Sequence, residues 1–285
     1  MLSHLKKLNE ILGLARCIDL IQIEENIKVD LEDISIFHCF NKQREVENST
    51  EKGFDAGVPM PLDANGEIKA EIALAQQNEI NAIYCDDPNA THTLSVVGQT
   101  INNGKKSNFF EQTITLDGKK IIDLNTPLHH ILSIENKSQE DLTTQIFAID
   151  KSVGLPTNLK WADTDKVFFV SKENDNLVQN KSMNTIFSVP DGRFAVFKKI
   201  YINYLGLNQA LAKINGQLQI KKHNSVFLDR FSVSNSNSSF FYKNIEYPYL
   251  YAEPNSLVKI RGEIIKADSI EIEAGYTVIL LKGKD

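Results

Sequence analysis

The chain has 285 residues, of which 42% are hydrophobic and 24% are charged, and its formal net charge at pH 7 is -6. This composition is typical of a folded globular protein of one large or two compact domains, and the negative charge excludes general nucleic-acid binding through phosphate neutralisation. The three widely spaced cysteines form no CxxC pair, and no apolar run approaches the ~20 residues of a membrane helix, so we expect no disulfide framework, no zinc site and no membrane partner.

The first predicted element is an amphipathic helix. Its apolar stripe consists of Leu2, Leu5, Leu8 and Leu12, at the spacings of three and four that place side chains on one helical face. We expect this helix to end near Gly13 or Arg16. Two roles are open for it: covering the end of a sheet in its own chain, or docking onto a neighbouring subunit.

After the helix, the hydrophobic period changes to two. Ile18 and Leu20, and then Ile27, Val29 and Leu31, alternate with polar residues and predict short strands. Residues 41–66 are polar and contain three glycines and two prolines, so they predict an extended arm with little regular structure. Residues 1–66 are therefore predicted as a helix, short strands and an extended arm.

Residues 67–156 predict a first β-sandwich domain. Seven short alternating segments follow one another here at a spacing of about ten residues, which is typical of a sandwich or barrel. Turn-forming residues separate the segments at 86–89, 102–104 and 117–118. Asn and Gly in these turns tolerate unusual values of φ, so we expect tight connections there.

Residues 161–285 predict a C-terminal, jelly-roll-like β-sandwich, which follows a linker with a Gly-Leu-Pro sequence. About eight alternating segments occur here, as in a jelly roll, and the last two lie at 257–266 and 269–283. The predicted fold class is therefore all-β: two β-sandwich or jelly-roll-like domains with an N-terminal amphipathic helix and an extended arm.

Few residues are arranged for catalysis or metal binding. His129 and His130 are adjacent on a predicted strand, and neighbouring strand residues point to opposite faces, so both cannot easily bind one metal. Cys17, His38 and Cys39 lack a fourth ligand for zinc, and the acidic clusters do not match a calcium loop. The chain also lacks P-loop, dinucleotide-binding and nucleophile-elbow motifs. We therefore expect no catalytic residue, no metal, no cofactor and no enzymatic activity.

A row of tyrosines precedes the last two predicted strands. Tyr247, Tyr249 and Tyr251 flank Pro248, and they share one face if the strand there is unbroken. Such a row can form a protein interface, close the end of a sandwich core or bind a sugar. The tyrosine row and the leucine stripe are the candidate interface residues.

Several turn-and-strand patterns recur through the C-terminal block: Val189-Pro190-Asp191-Gly192 before a long strand, Val226-Phe227, Tyr247-Pro248, Glu253-Pro254, Lys259-Ile260-Arg261 and Ala274-Gly275-Tyr276. This succession resembles a β-sandwich domain of virion structural proteins of tailed bacteriophages. More weakly, residues 92–135 resemble another domain of such proteins.

The resemblance implies a structural component of the virion, made in the host cytoplasm, either on the head surface as a decoration or minor capsid protein or in the head-tail region. Its partners would be the major capsid, portal or tail proteins and further copies in a homo-oligomer. One alternative is a receptor- or glycan-binding fibre or appendage that holds a host surface glycan with the tyrosine row. Another is a polysaccharide-degrading enzyme, which would need two carboxylates about 5 to 9.5 Å apart.

Overall fold

The structure is a computed structural model that describes residues 14–15, 18, 21, 28–47, 53–55, 58–60, 74–140, 142, 144–153, 167–170, 181–182, 185–206, 213–222, 225–236, 242–244, 250–266 and 269–284. These ranges consist mainly of antiparallel strands and turns, with one 3-10 helix at Lys151–Val153. The prediction of an all-β, sandwich-like fold is confirmed. No helix in these ranges is long and apolar enough to span a membrane.

The strands are numbered in chain order: β1 (Lys28–Glu47), β2 (Gly53–Asp55), β3 (Val58–Met60), β4 (Ile80–Cys85), β5 (Thr93–Gln99), β6 (Ile101–Asn102), β7 (Lys105–Lys106), β8 (Phe110–Thr115), β9 (Ile122–Leu128), β10 (His130–Asn136), β11 (Ile146–Ile149), β12 (Val167–Val170), β13 (Lys181–Ser182), β14 (Ile186–Ser188), β15 (Arg193–Gly206), β16 (Lys213–Lys221), β17 (Phe227–Ser236), β18 (Tyr242–Asn244), β19 (Tyr251–Ala252), β20 (Leu257–Lys266) and β21 (Ser269–Lys284).

Two sheets form the sandwich that contains the C-terminal strands. One has the order β1-β21-β15-β18, with β19 also on β15, and the other has the order β17-β16-β20-β2-β3, with β14 also on β20. Phe187, Phe197 and Tyr276 are the largest apolar side chains between them. The Tyr276 hydroxyl donates toward the carbonyl oxygens of Thr185 and Val258, both at 3.2 Å, so the polar tip of this buried ring is satisfied.

The other sandwich consists of two four-stranded sheets. Their orders are β13-β10-β5-β8 and β12-β11-β4-β9. Ile83, Val96, Ile134 and Ala148 are fully buried in its core. The strands β4, β5, β8 and β10 lie within the alternating segments that the sequence predicts, because their period-two pattern places one set of side chains in this core.

The first and last strands form the longest ladder. β1 pairs antiparallel with β21 from Lys28↔Lys284 to Glu47↔Ser269, and β2 and β3 form a hairpin that adds to β20. The prediction of little regular structure across residues 41–66 is therefore wrong for the residues that the structure describes there. Pairing explains the difference: the polar second half of β1 forms a backbone ladder with residues 269–274 of the long strand β21.

Strand pairing crosses the predicted domain boundaries. β1, β2 and β3 come from residues 1–66 but complete the C-terminal sandwich. β12 and β13 come from residues 161–285 but pair with β11 and β10 of the other sandwich. Alternation identifies a strand but not its sheet, so each sandwich contains strands from more than one predicted segment.

A helix covers the outer face of the β1-containing sheet. Its described residues are Leu14, Ala15, Ile18 and Ile21, which corrects both the predicted helix end near Gly13 or Arg16 and the predicted strand at Ile18. Leu14, Ile18 and Ile21 are spaced i, i+4 and i+7 and belong to one apolar cluster with four sheet residues, Phe194, Val196, Ile279 and Leu281. The stripe Leu2, Leu5, Leu8 and Leu12 lies outside the described residues.

The tight turns predicted at 102–104 and 117–118 are confirmed by their backbone angles. Asn103 and Gly104 have φ of 50° and 78°, and Gly118 has φ of 58°. A Cβ atom on Gly118 would also lie 2.7 Å from the carbonyl oxygen of Pro88, so this position requires glycine for two reasons.

We predict that two buried strand glycines differ in their tolerance of alanine. A Cβ atom at Gly98 would lie 2.7 Å from the His130 carbonyl oxygen, which the β5–β10 ladder holds in place. A Cβ atom at Gly216 would meet mainly the end of the flexible Ile202 side chain. Gly98→Ala should therefore lower the free energy of unfolding by about 1–3 kcal/mol, as overpacking does, and Gly216→Ala by clearly less. Urea denaturation measures both, and equal losses would contradict the explanation.

Candidate functional site

One of the predicted tyrosines lies in the described part of the chain. Tyr251 is half-buried in β19, and its ring centroid lies 6.3 Å from that of Phe194. It belongs to the apolar cluster that the helix covers, so it packs within its own chain. Tyr247 and Tyr249 lie outside the described residues.

An apolar band crosses the outer face of the β1-containing sheet. Strand pairing places Ile36 beside Ile279, Ile279 beside Val196, and Val196 beside Tyr251. The helix residues contact the middle of this band. At the β1 end Ile36 is 61% exposed, so the band continues beyond the helix as an uncovered apolar surface.

Exposed apolar side chains are concentrated at two places. In the described residues, the large ones are Leu31, Ile34, Ile36, Val226 and Leu228. The first three lie on β1, and the other two lie at the start of β17, with Val226 directly before the strand. β1 and β17 are the end strands of their sheets. Uncovered apolar residues on end strands are typical of surfaces that associate.

The two sandwiches meet at a seam that contains three phenylalanines. Phe37 comes from β1, Phe109 from the residues before β8, and Phe187 from β14. Their ring centroids are 5.5 Å (Phe37–Phe109), 5.6 Å (Phe37–Phe187) and 5.4 Å (Phe109–Phe187) apart. Tilted rings at these distances attract one another beyond the burial of their area, so the triangle joins the two cores.

A buried lysine forms the polar part of the seam. Lys106 Nζ donates to the carbonyl oxygens of Asn255 at 2.8 Å and Ser256 at 3.2 Å. The Lys106 backbone N–H donates to Asn255 Oδ1 at 3.0 Å, and the Asp191 N–H donates to the Lys106 carbonyl at 2.9 Å. Burial, with the charge of Lys221 as a smaller cause, lowers the pKa of Lys106 to about 7. The β6–β7 hairpin is thereby bound to a turn of the other sandwich.

An arginine links three parts of the chain beside this seam. The Arg193 guanidinium donates to both carboxylate oxygens of Asp33 in β1, each at 3.0 Å, and its Nε donates to Asn108 Oδ1 at 3.1 Å. A bidentate pair of this kind fixes orientation as well as distance. Asp33 also lies 3.9 Å from Lys282 Nζ. Arg193 therefore connects β1 and β15 with the other sandwich.

His129 and His130 are both buried near the seam, as packing residues. Burial is the main cause that lowers the pKa of His129 to about 4 and of His130 to about 3, and the charge of Lys106 adds to it in both. The His130 ring centroid lies 6.3 Å from that of Phe109. Within the described residues, His130 Nε2 has no hydrogen-bond partner. Both imidazoles are therefore neutral at pH 7.

Three further reactive side chains in the described residues, Cys85, Asp86 and His38, are buried or have a polar neighbour. Cys85 is buried, and burial raises the pKa of its thiol. Asp86 accepts from Lys119 at 2.7 Å and from the Tyr84 hydroxyl at 3.0 Å, and His38 Nδ1 lies 3.0 Å from Thr277 Oγ1. Within the described ranges, no group of three or more His, Cys, Asp and Glu residues could hold a metal ion.

No protein-family model and no curated protein matches this sequence. Three solved structures of infectious bursal disease virus align with it at very low similarity. The Gt strain structure has a TM-score of 0.20 and 8% identity, over 90% of this chain and 73% of that one. The Gx strain structure has a TM-score of 0.15 and 8% identity, over 93% of this chain and 87% of that one. The VP2 subviral particle has a TM-score of 0.14 and 10% identity, over 94% of this chain and 77% of that one. These TM-scores are below the level of a shared fold.

The histidine pKa values predict a loss of stability in acid. The folded-state values of about 4 and 3 lie below the ordinary 6.5, so below pH 6.5 the unfolded chain binds protons that the folded chain does not. The free energy of unfolding should then fall by up to about 1.4 kcal/mol per histidine for each pH unit down to pH ~4. In a His129→Gln/His130→Gln variant, the free energy of unfolding, measured by urea denaturation between pH 7 and pH 4, should lack this part of the decrease. Parallel curves for the two proteins would contradict the assignment.

Lys106 should produce a separate effect in alkali. Its folded-state pKa of about 7 lies below the ordinary 10.5, so the unfolded chain binds the extra proton between these values. The contribution of Lys106 to the free energy of unfolding should therefore rise as pH increases from 7 toward 10.5. Lys106→Met should remove that rise, whereas Lys119→Met, at an exposed lysine, should keep it. Denaturation curves at pH 7, 8.5 and 10 measure the difference, and a retained rise in Lys106→Met would contradict the prediction.

Proposed function

We propose that this protein is a non-enzymatic structural component of a tailed-phage virion, either a decoration or minor capsid protein of the head surface or a protein of the head-tail region. Its location would then be the virion, and its partners would be the major capsid, portal or tail proteins and further copies of itself. The turn-and-strand patterns from Val189 to Tyr276, which resemble virion β-sandwich domains, support the virion part of this proposal.

The observation that carries the assembly part is the position of the exposed apolar side chains. In the part of the chain that the structure describes, the large ones occur on β1 and at the start of β17, both at sheet ends. A protein that worked alone would gain nothing from apolar side chains on open edges and would be prone to aggregate through them. Covering them with a neighbour removes that liability.

The seam supports a rigid building block. The phenylalanine triangle, the Lys106 hydrogen bonds and the Arg193–Asn108 hydrogen bond all join one sandwich to the other. Aromatic contacts and hydrogen bonds at one junction oppose a change of angle between the sandwiches. Components of a shell or collar need such fixed geometry, and β-sandwiches supply it without a cofactor.

The use of the buried titratable groups favours a non-enzymatic role. Lys106 is bound to main-chain carbonyls, His130 lies against Phe109, and Cys85 lies in a core. Each of these groups is engaged in packing or structural hydrogen bonds. Tyr251 also packs on Phe194, so the described part of the tyrosine row does not favour the glycan-binding alternative.

The location can be tested on intact particles. Phage particles purified through a density gradient and washed in high salt should contain this protein at a fixed ratio to the major capsid protein, measured by quantitative mass spectrometry. Immunogold labelling should then place it on the head or at the head-tail region. A non-structural phage protein of similar abundance serves as the control and should be lost in the gradient. Loss of this protein together with the control would overturn the proposal.

A further inference from the structure

An uncovered apolar strip lies at the end of the sheet that the helix covers. Ile34 pairs with Leu281 and Ile36 pairs with Ile279, and directly paired residues point to the same face of a sheet. Leu281 and Ile279 belong to the cluster beneath the helix, whereas Ile34 is 40% exposed and Ile36 is 61% exposed. We call Ile34 and Ile36 the β1 strip. It continues the aliphatic surface on which the helix packs.

The β1 strip lies at the distance of one helix from the helix that is already there. The four buried sheet residues of the cluster belong to β15 and β21, so the described helix lies over this pair of strands. β1 is the neighbour of β21, and at ~4.8 Å between strands it lies roughly 7–10 Å from them. Neighbouring packed helices are about 8–10 Å apart. A second helix beside the first would therefore lie over β1.

The described helix packs on the sheet with one side and is open on the other. Leu14, Ile18 and Ile21 belong to the apolar cluster with the sheet. Ala15 lies about 90° around the helix from the centre of these three residues, and it is exposed. A neighbour therefore has access to the side of the helix that faces away from the sheet.

The predicted leucine stripe falls on that open side. Leu2, Leu5, Leu8 and Leu12 precede the described helix, and Gly13 lies between them and Leu14. A glycine inside a helix costs about 1 kcal/mol relative to alanine, so one helix can contain both segments. At about 100° per residue, the centre of the stripe then lies roughly 170° from the centre of the sheet-contacting residues. A continuous helix directs its leucines away from the sheet of its own chain.

We propose that the leucine stripe of one copy covers the β1 strip of a second copy. This inference rests on the assembly role proposed above and identifies the contact that serves it. Each chain supplies an aliphatic helical face turned away from its own sheet and an aliphatic strip with room for one helix. The contact has the chemistry of the helix–sheet contact within the chain, where Ile18 and Ile21 pack with Val196.

One leucine stripe and one β1 strip per chain favour a pair of copies. Two copies related by a two-fold axis make both contacts at once, so the assembly closes without a free stripe. Residues 2–12 extend about 15 Å along a helix, whereas Ile34 and Ile36 are ~7 Å apart along a strand. The stripe is therefore long enough to cover the whole β1 strip of the other copy.

Two glutamate variants test the contact in the purified full-length chain. Leu5→Glu/Leu8→Glu places carboxylates in the leucine stripe, and Ile36→Glu places one in the β1 strip. Sedimentation analysis over a range of concentrations should show the wild type at twice the 32.1 kDa mass of the monomer. Each variant should associate at least about 30-fold more weakly, as loss of a central contact residue does. Thr113→Glu, at an exposed position on the end strand β8, is the matched control and should associate like the wild type.

A mixture of the two variants gives the sharpest result. A pair of identical variant chains has no intact contact, whereas a mixed pair has one, between the unchanged stripe of the Ile36→Glu chain and the unchanged β1 strip of the Leu5→Glu/Leu8→Glu chain. The mixture should therefore form a 1:1 dimer more tightly than either variant alone. A wild type that stays monomeric at all concentrations, a variant that associates like the wild type, or a mixture that associates no better than its components would overturn the proposal.

Melting temperatures separate a contact between copies from a contact within one chain. At a concentration low enough to dissociate the wild type, both glutamate variants should melt like the wild type. A stripe that folds back onto the β1 strip of its own chain would instead lower both melting temperatures while every species stays monomeric, and this result would overturn the proposal. If a glutamate variant unfolds, alanine at the same positions replaces glutamate, and unchanged association of the alanine variant would also overturn it.

The contact and the virion role fail separately. Absence of the protein from particles despite association in solution would remove the virion role alone. Presence in particles of a wild type that is monomeric in solution would remove the contact alone.

Discussion

The antiparallel pairing of β1 with β21 is the constraint on which the rest of the structure depends. It joins residue 28 to residue 284, so it closes nearly the whole chain into one unit. The same strand supplies Phe37 to the seam and Asp33 to Arg193, and it carries the exposed apolar side chains of Leu31, Ile34 and Ile36. Core, seam and surface are therefore coupled through a single strand. Because the paired residues are far apart in sequence, the chain loses the entropy of closing the loop between them before their contacts can stabilise the fold. This order of events is typical of slow-folding β proteins.

Features fixed by short-range chemistry were predictable from the sequence. β20 spans the predicted residues 257–266, and Asn103 and Gly118 adopt the turn conformations expected of Asn and Gly. Features fixed by distant partners were not. The polar second half of β1 is extended because β21 pairs with it, and β12 and β13 join the sheets of the other sandwich. At Ile18 a short apolar run fits both the strand period of two residues and the helical period of 3.6 residues. Contact with a sheet face favours the helix there.

In the candidate site, too, features fixed by nearby residues were predictable and features fixed by distant partners were not. Alternation shows that Ile34 and Ile36 share a face, but whether that face is covered depends on where the helix ends above it. Lys106 resembles any solvated hairpin lysine in the sequence, and it is buried only because Asn255, 149 residues away, folds over it.

The direction of the β1–β21 ladder has a mechanical consequence. The first residue of β1 pairs with the last residue of β21, so these two strand ends lie at the same end of the ladder. Tension applied between them would act along the ladder hydrogen bonds, which are perpendicular to antiparallel strands, and would open one residue pair at a time. Tension applied between Glu47 and Lys284, at opposite ends, would instead load all the pairs together in shear. The resistance of this ladder to force is therefore set by the two points at which the force is applied, and application at the first residue of β1 and the last residue of β21 is the weaker arrangement.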